Sequence, residues 1–170
     1  SGTLIKWNPA IKTESDRKAL FEAILDGTID VVATDHAPHT LQEKKQSYLK
    51  APTGGPLVQH ALLMMLEFYY KKQISLERIA ELMCHNPAIC FKIEKRGFIR
   101  KNYHADLVVF DLQKNTVVDN DNVLYKCKWS PLEGELFHSK ISNTFVNGQM
   151  AYDGQKVSEK IKGTRLRFKP

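Results

Sequence analysis

The chain of 170 residues has few cysteines and no long apolar run. Its three cysteines, Cys84, Cys90 and Cys127, form no Cys-x-x-Cys pair, which argues against a disulfide framework and against a cysteine zinc site. We expect reduced thiols, buried as small apolar residues. No apolar stretch approaches the roughly 18 residues of a membrane helix, and no charged-then-apolar leader opens the sequence. These absences predict a soluble, cytoplasmic protein.

Sequence features of nucleic-acid binding are also scarce. The formal net charge is +6, but the lysines are scattered and no aromatic-interleaved RNA motif accompanies them. We therefore predict neither a nucleic-acid nor a membrane partner, and a homo-oligomer stays open. Apolar residues make up 42% of the chain, which is enough for a packed core, so we expect one domain or slightly more.

What is present divides into two regions. Residues 1–96 alternate helix and strand signals, whereas residues 97–170 carry short apolar runs with hairpin punctuation. This change predicts an α/β fold with a domain boundary after residue 96.

Local signals predict the elements of both regions. Thr13 and Asp16 form a capping-box pattern and Gly27 suits a helix C-cap, so a helix should run between them. Asn147-Gly148 suits the type I′ turn of a hairpin. The other expected elements are a buried strand at 29–34, a polar loop through residue 52, helices from about Pro56 and Ser75, strands at 107–110 and 116–118, and a hairpin over 141–152.

A cluster of reactive side chains follows the predicted strand at 29–34. Residues 33–39 read Ala-Thr-Asp-His-Ala-Pro-His. Groups just past the C-terminal end of a buried parallel strand are often reactive in α/β folds. For Asp35 taken alone, a structural role in an Asx turn or a helix cap is as consistent with the sequence as a chemical role. Because two histidines stand nearby, the alternative is that Asp35 serves as a metal ligand and general base. One of the histidines would then donate a hydrogen bond to an anionic substrate group. Spacing alone does not assign these roles.

Residues 33–39 resemble the signature of the dihydroorotase family, in the amidohydrolase superfamily. Four further segments agree: the Asn-Pro segment at 6–12, the Ala-Pro-Thr-Gly-Gly loop at 51–55, the His-Asn-Pro-Ala step at 85–88 and the Ala-Asp-Leu-Val-Val-Phe-Asp run at 105–111. The resemblance implies an α/β fold in which residues 1–96 are the C-terminal part of a (β/α)8 metal-dependent hydrolase barrel. Residues 97–170 would then form a small β-sandwich segment.

The resemblance also implies roles for matching positions. Asp35 would be a metal ligand and the catalytic residue, taking a proton from a metal-bridging hydroxide and delivering it to the departing amide nitrogen. Asn8, His39 and the backbone of Thr53 and Gly54 would contact the substrate. The implied reaction is the reversible cyclisation of N-carbamoyl-L-aspartate to dihydroorotate in pyrimidine biosynthesis, so the implied partner is a small-molecule substrate. The implied cofactor is zinc, with two ions in each active site of the complete enzyme.

Most metal ligands of that family have no counterpart in this sequence. The family takes them from a His-x-His pair, a carboxylated lysine and two more histidines, and no His-x-His pair occurs here. His60, His85, His104 and His138 stand in contexts that do not match, so we expect them to be non-ligands. A complete barrel needs about 250 residues. We therefore expect a C-terminal portion that binds no zinc pair and is inactive alone.

Departures from the family pattern and two rival functions accompany the resemblance. Lys12 stands where the family has an arginine, and Thr53 stands where it has a phenylalanine. The first rival is another cyclic amidohydrolase: a hydantoinase, dihydropyrimidinase or allantoinase. Hydantoin and dihydrouracil lack the ring carboxylate of dihydroorotate, so the second histidine of residues 33–39 favours dihydroorotase. The second rival is a non-catalytic, dihydroorotase-like scaffold.

Overall fold

Helices occupy the first half of the chain and short strands the second. The computed structural model describes residues 2–169. The helical half contains a 3-10 turn at Gly2–Ile5, α1 at Glu14–Asp26, α2 at Leu41–Lys44, a 3-10 turn at Val58–His60, α3 at Ala61–Tyr70, α4 at Leu76–Ala80, a π-helical turn at Glu81–His85 and α5 at Asn86–Cys90. The strands are β1 at Leu107–Asp111, β2 at Thr116–Val117, β3 at Leu136–Phe137, β4 at Lys140–Val146 and β5 at Gln149–Tyr152.

The first helix begins and ends where its capping residues predict. Thr13 Oγ1 accepts from the Asp16 N–H at 3.3 Å, and the Asp16 carboxylate accepts from the Thr13 N–H at 2.9 Å. Gly27 ends the helix with a φ of 91°, a left-handed conformation that glycine adopts without a Cβ penalty. The apolar face of α1 is only partly covered, because Leu20 is 56% exposed and Leu25 is 45% exposed.

Residues 29–34 do not form the predicted β-strand. A strand requires a ladder of hydrogen bonds to a neighbouring strand. In the described part of the chain, no such ladder joins residues 29–34 to another strand. Its contacts are isolated instead: the Val32 N–H donates to Leu82 O at 3.2 Å. Only past the segment does His36 form a single parallel bridge with Gly55. Val31 and Val32 have side chains that favour a strand, but a strand also needs a second strand to pair with.

The later helices follow one another with little intervening loop. Ser75 Oγ accepts from the Arg78 N–H at 3.1 Å and so caps α4. Pro87 lies at the start of α5, which follows the π-helical turn without an intervening residue. The helix predicted from about Pro56 begins with the 3-10 turn and continues as α3 from Ala61.

The second half contains two small antiparallel sheets. One sheet has the order β1-β4-β5, and the other pairs β2 with β3. The predicted hairpin is confirmed between β4 and β5. Its turn residues Asn147 and Gly148 have φ values of 52° and 78°, positive as a type I′ turn requires. The strands predicted at 107–110 and 116–118 are confirmed as β1 and β2.

Two apolar clusters join these elements. One cluster packs Leu63 of α3 with Val118, Val123, Tyr125 and Phe137 from the second half of the chain. The other lies between α3, α4 and the π-helical turn. Burial of each such side chain contributes about 1.5–3 kcal/mol. The first cluster contains residues from both sides of the boundary expected after residue 96, so the two halves pack together, and their separation into domains stays a prediction.

The three cysteines are free thiols. Cys84 and Cys90 are exposed, so the expectation of buried thiols is wrong for both, while Cys127 is half-buried. Each exposed cysteine comes two residues after a buried one, Leu82 or Ala88, and residues so spaced face opposite sides of a helical segment. No helix in the described residues combines the length and apolar character that membrane crossing requires.

Glu67 joins α3 to the second half of the chain through His138. Its carboxylate accepts from the His138 N–H at 3.1 Å and lies 3.1 Å from His138 Nδ1, and Lys71 Nζ is 3.4 Å away. Burial opposes ionisation of Glu67, but these partners outweigh it and hold the pKa of the carboxyl below its ordinary value. The resulting stability is present above the unfolded-state pKa and is lost as the pH falls through the folded-state pKa.

We expect Glu67→Gln to lower the free energy of unfolding by about 1–2 kcal/mol at neutral pH. The deficit should shrink as the pH falls from the ordinary glutamate pKa of 4.5 through the lower folded-state pKa, because the carboxylate becomes protonated first in the unfolded and then in the folded wild-type chain. Urea unfolding across this range measures the effect. The control is Glu22→Gln, an exposed α1 carboxylate, which should change stability by less than about 0.5 kcal/mol. A deficit that does not vary with pH would contradict the linkage.

Candidate active site

Three loops meet just past residues 29–34. They are the N-terminal loop at 6–8, the aspartate loop at 33–39 and the glycine loop at 51–56. The Gly54 N–H donates to Lys6 O at 2.9 Å, which joins the glycine loop to the N-terminal loop. The Ala37 N–H donates to Gly55 O at 3.3 Å, which joins the aspartate loop to the glycine loop. Backbone hydrogen bonds therefore hold together the segments that carry every predicted site residue.

Asp35 stands at the start of the aspartate loop in an unusual backbone conformation. Its φ is 44°, in the left-handed region that aspartate tolerates better than most residues other than glycine. Its side chain is exposed and bonds to no group in the described part of the chain. The carboxylate therefore forms neither an Asx turn nor a helix cap, and it is free to bind a ligand. Sparsely populated conformations of this kind cluster at active sites.

His36 is an anchor for the aspartate loop. Its Nδ1 accepts from the Leu57 N–H at 3.1 Å and from the Val58 N–H at 3.3 Å, which caps the 3-10 turn ahead of α3. Because Nδ1 accepts, the ring proton lies on Nε2. The His36 ring also lies 5.2 Å from the ring of Tyr125, between centroids. Burial raises the pKa of Tyr125 to about 12, so its hydroxyl stays protonated at neutral pH.

His39 contacts one of the other predicted substrate residues directly. Its Nε2 donates to Thr53 O at 3.0 Å, so the aspartate and glycine loops meet through these two residues. The indole of Trp129 supports the same residue, because Trp129 Nε1 donates to His39 O at 2.7 Å and the side chain is buried. Sequence reasoning missed Trp129, which lies 90 residues away along the chain and gave no local signal.

The glycines of the glycine loop allow close backbone packing. Gly54 has a φ of 101°, and a Cβ there would lie 2.7 Å from Ala37 Cβ and 3.0 Å from Ala37 O. A Cβ on Gly55 would lie 2.7 Å from the Trp7 ring. The two 2.7 Å distances are shorter than real Cβ contacts, so a side chain at either position would force its neighbour to move.

The N-terminal loop contacts the glycine loop through Lys6 and not through the side chain of Asn8. Asn8 is exposed, precedes Pro9 through a cis peptide bond, and makes no side-chain hydrogen bond in the described part of the chain. The contact to Gly54 comes from Lys6 O in the same loop. The structure thus brings His39 and Thr53 into direct contact, whereas Asn8 and Asp35 stand on adjoining loops without a hydrogen bond to either.

A buried lysine lies beneath the site, in the segment predicted as a polar loop. Lys44, the last residue of α2, is 0% exposed. Its Nζ donates to Gly54 O at 2.8 Å, to Pro52 O at 3.0 Å and to Lys6 O at 3.3 Å. Burial, and then the nearby charge of Lys6, lowers the pKa of Lys44. Nothing in the lysine-rich sequence around it distinguishes this residue from its exposed neighbours.

The sequence profile of the amidohydrolase family matches residues 9–151, which include the aspartate and glycine loops and begin just after the N-terminal loop. This chain belongs to the amidohydrolase family. The dihydroorotase of Halobacterium salinarum is 39% identical over 157 residues, which cover 92% of this chain and 37% of that protein. The dihydroorotase of Anaplasma phagocytophilum is 36% identical over 151 residues, 89% of this chain and 34% of that protein. This amidohydrolase chain spans just over a third of the length of these relatives.

Solved amidohydrolases have a similar fold. The L-hydantoinase (dihydropyrimidinase) from Arthrobacter aurescens superposes with a TM-score of 0.85 at 29% identity, covering 92% of this chain and 36% of that protein. The D-hydantoinase (dihydropyrimidinase) from Thermus sp. gives 0.87 at 25% identity, covering 99% and 38%. These likenesses confirm the α/β class and imply a family of (β/α)8 barrels.

Amidohydrolases are generally metal-dependent, but the side chains described here do not fit a complete metal site. No group of three or more His, Cys, Asp and Glu residues among residues 2–169 is arranged to hold an ion. A catalytic zinc needs three protein ligands and an open position, and residues 2–169 do not bring three such side chains together. Three other histidines are engaged elsewhere: His60 with Tyr125, His85 on Phe98 and His138 with Glu67.

Proposed function

We propose that this amidohydrolase chain is the C-terminal portion of a dihydroorotase, which reversibly cyclises N-carbamoyl-L-aspartate to dihydroorotate. The observation that carries the proposal is the aspartate loop, in which the free Asp35 carboxylate is followed by the His39–Thr53 hydrogen bond. The relatives named dihydroorotase, at 39% and 36% identity, support it. Pyrimidine biosynthesis and a cytoplasmic location follow as predictions, and homo-oligomerisation stays open.

The proposal extends to the architecture. Residues 1–96 would be the last units of a (β/α)8 barrel, and residues 97–170 would be the small β-sandwich segment. A barrel strand is hydrogen-bonded on both edges, which explains why residues 29–34 have strand-forming side chains without a partner in the described part of the chain. The exposed Leu20 and Leu25 of α1 are likewise consistent with an apolar face that further chain would cover.

Asp35 is the proposed proton carrier. In the hydrolytic direction, water adds to the ring carbonyl carbon and the ring C–N bond then breaks. The Asp35 carboxylate accepts the proton that the water loses and donates it to the departing amide nitrogen. Cyclisation reverses these transfers. Ligation of zinc by Asp35, at a site with two ions, belongs to the proposal, and the other ligands would come from outside these residues.

His39, Asn8 and the backbone of Thr53 and Gly54 are the proposed substrate contacts. Since His39 Nε2 donates to Thr53 O, only Nδ1 remains for a substrate group. Donation from Nδ1 to a carboxylate requires the doubly protonated ring. The imidazolium would then neutralise the carboxylate that distinguishes dihydroorotate from hydantoin and dihydrouracil.

Hydantoinase activity is the second candidate. It is favoured by the two solved hydantoinase structures, which match 92% and 99% of this chain. Their substrates need no partner for a ring carboxylate, so the two candidates differ in what His39 should do.

A substrate comparison with the complete polypeptide tests the proposal. We expect turnover of dihydroorotate and N-carbamoyl-L-aspartate, and little turnover of hydantoin or dihydrouracil. His39→Ala should raise the KM for dihydroorotate about tenfold or more, because a charge-assisted hydrogen bond to the carboxylate is lost. The exposed histidine variant His104→Ala is the control and should leave KM unchanged.

Three outcomes would count against this assignment. Preference for hydantoin or dihydrouracil would favour the second candidate. Absence of turnover on all of these substrates would favour the non-catalytic scaffold. An unchanged KM for dihydroorotate in His39→Ala would remove His39 from carboxylate binding.

A further inference from the structure

Lys44 has no exposed surface, although lysine is rarely fully buried without an anionic partner. Its ammonium has three N–H donors, and the three carbonyls of Gly54, Pro52 and Lys6 accept from it at 2.8, 3.0 and 3.3 Å. No carboxylate is among its partners in the described part of the chain. The hydrogen bonds of the ammonium are therefore satisfied, while its charge is not neutralised.

The acceptors of Lys44 belong to two loops of the proposed site. Pro52 and Gly54 stand on either side of Thr53, and Lys6 stands two residues before Asn8. Lys6 O also accepts from the Gly54 N–H at 2.9 Å. One cation thus holds the glycine loop against the N-terminal loop.

The Thr53 N–H lies in the same peptide unit as the Pro52 carbonyl. Thr53 is exposed, and its N–H donates to no group in residues 2–169. A carbonyl that accepts from a cation polarises its own peptide unit, which makes the N–H of that unit a stronger donor. Lys44 therefore acts on an unused backbone donor of an exposed residue.

We propose that Lys44 is a positioning residue that fixes and polarises the Thr53 N–H as a donor to an anionic group of the substrate. This inference rests on the proposed function, since carbamoyl-aspartate and dihydroorotate both carry carboxylates. A neutral side chain of similar length would fill the same volume without the cost of burying an ammonium. Packing alone therefore does not account for the charge.

Lys44→Met keeps the length of the side chain and removes the donors and the charge. In the complete polypeptide we expect the KM for dihydroorotate to rise about tenfold or more, with kcat changed less than about threefold, because a donor to the substrate is weakened. Lys45→Met, at the exposed neighbour, is the matched control and should leave both constants unchanged. An unchanged KM for Lys44→Met would overturn the inference.

Amine rescue separates charge from packing. In Lys44→Ala, n-propylammonium replaces the missing atoms with their charge, and 1-propanol replaces a similar volume without it. We expect the amine, and not the alcohol, to lower KM towards the wild-type value. Equal effects of the two additives would overturn the inference. If Lys44→Ala or Lys44→Met fails to fold, Lys44→Gln carries the kinetic comparison, because its amide keeps N–H donors without charge.

Amide measurements distinguish failure of this inference from failure of the proposed function. In Lys44→Met, the Gly54 N–H should exchange with solvent about tenfold faster or more, because its acceptor Lys6 O is no longer held by the ammonium. The Thr53 amide proton should shift upfield, as expected for a less polarised peptide. If the wild-type polypeptide does not turn over dihydroorotate, the proposed function fails, and unchanged exchange and shift at these two amides would overturn the inference separately.

Discussion

Asp35→Asn is expected to lower kcat for dihydroorotate by about 10²–10⁴-fold, the usual contribution of a general acid–base group. Asparagine matches the carboxylate in shape but does not carry the proton between water and the amide nitrogen. It also tolerates the left-handed conformation of this residue, φ 44°, so the aspartate loop should keep its backbone. Steady-state kinetics of the complete polypeptide measure the loss.

Two further variants isolate the chemical effect of Asp35. Asp30→Asn removes an exposed carboxylate from the same segment and should leave kcat unchanged. Asp35→Ala adds a conformational cost of about 1–2 kcal/mol, which the asparagine variant avoids. A kcat for Asp35→Asn within about threefold of the wild-type value would contradict the role as proton carrier.

Gly54→Ala should be the most damaging small substitution in the site. The new Cβ would lie 2.7 Å from Ala37 Cβ and 3.0 Å from Ala37 O, on a backbone whose φ is 101°. Left-handed strain and the two contacts together should lower the free energy of unfolding by about 2–4 kcal/mol. Relief by movement of the glycine loop would also displace Thr53 and raise the KM for dihydroorotate. Urea unfolding and steady-state kinetics measure the two effects.

The chain offers a matched control for Gly54. Gly27 has a similar φ of 91°, but a Cβ there would meet no atom within 4 Å. Gly27→Ala should therefore show only the conformational cost, about 1 kcal/mol. Ala37→Gly combined with Gly54→Ala removes the closest contact and should recover part of the loss. Equal destabilisation by Gly27→Ala and Gly54→Ala would contradict the close packing of the loops.

Local sequence signals predicted the elements that local interactions form. The caps of α1 at Thr13 and Gly27 and the turn at Asn147 each depend on residues a few positions apart, and all appear in the structure. The prediction of a strand at 29–34 was wrong because strand pairing depends on a neighbour that is distant in sequence, and an apolar run does not specify that neighbour. The exposure of Cys84 similarly depends on which face of its helical turn meets the core.

The residues of the site show the same difference between local and distant interactions. Asp35 and His39 were found because they stand together in one short motif, although their roles came from resemblance and remain proposals. Lys44 and Trp129 were missed because their partners lie on other segments. Neither a lysine in a lysine-rich loop nor an isolated tryptophan belongs to a pattern that indicates a hydrogen bond to a particular carbonyl.

The hydrogen bond from Trp129 to His39 bears on how related enzymes can be recombined. A chimera that joins the first half of this chain to the second half of a relative would exchange the donor that supports His39 O. It would also exchange Tyr125, whose ring lies beside His36. A crossover after residue 96 follows the change in sequence pattern, but it separates residues that contact each other in the structure. A functional chimera would have to keep Tyr125 and Trp129 together with the aspartate loop that they contact.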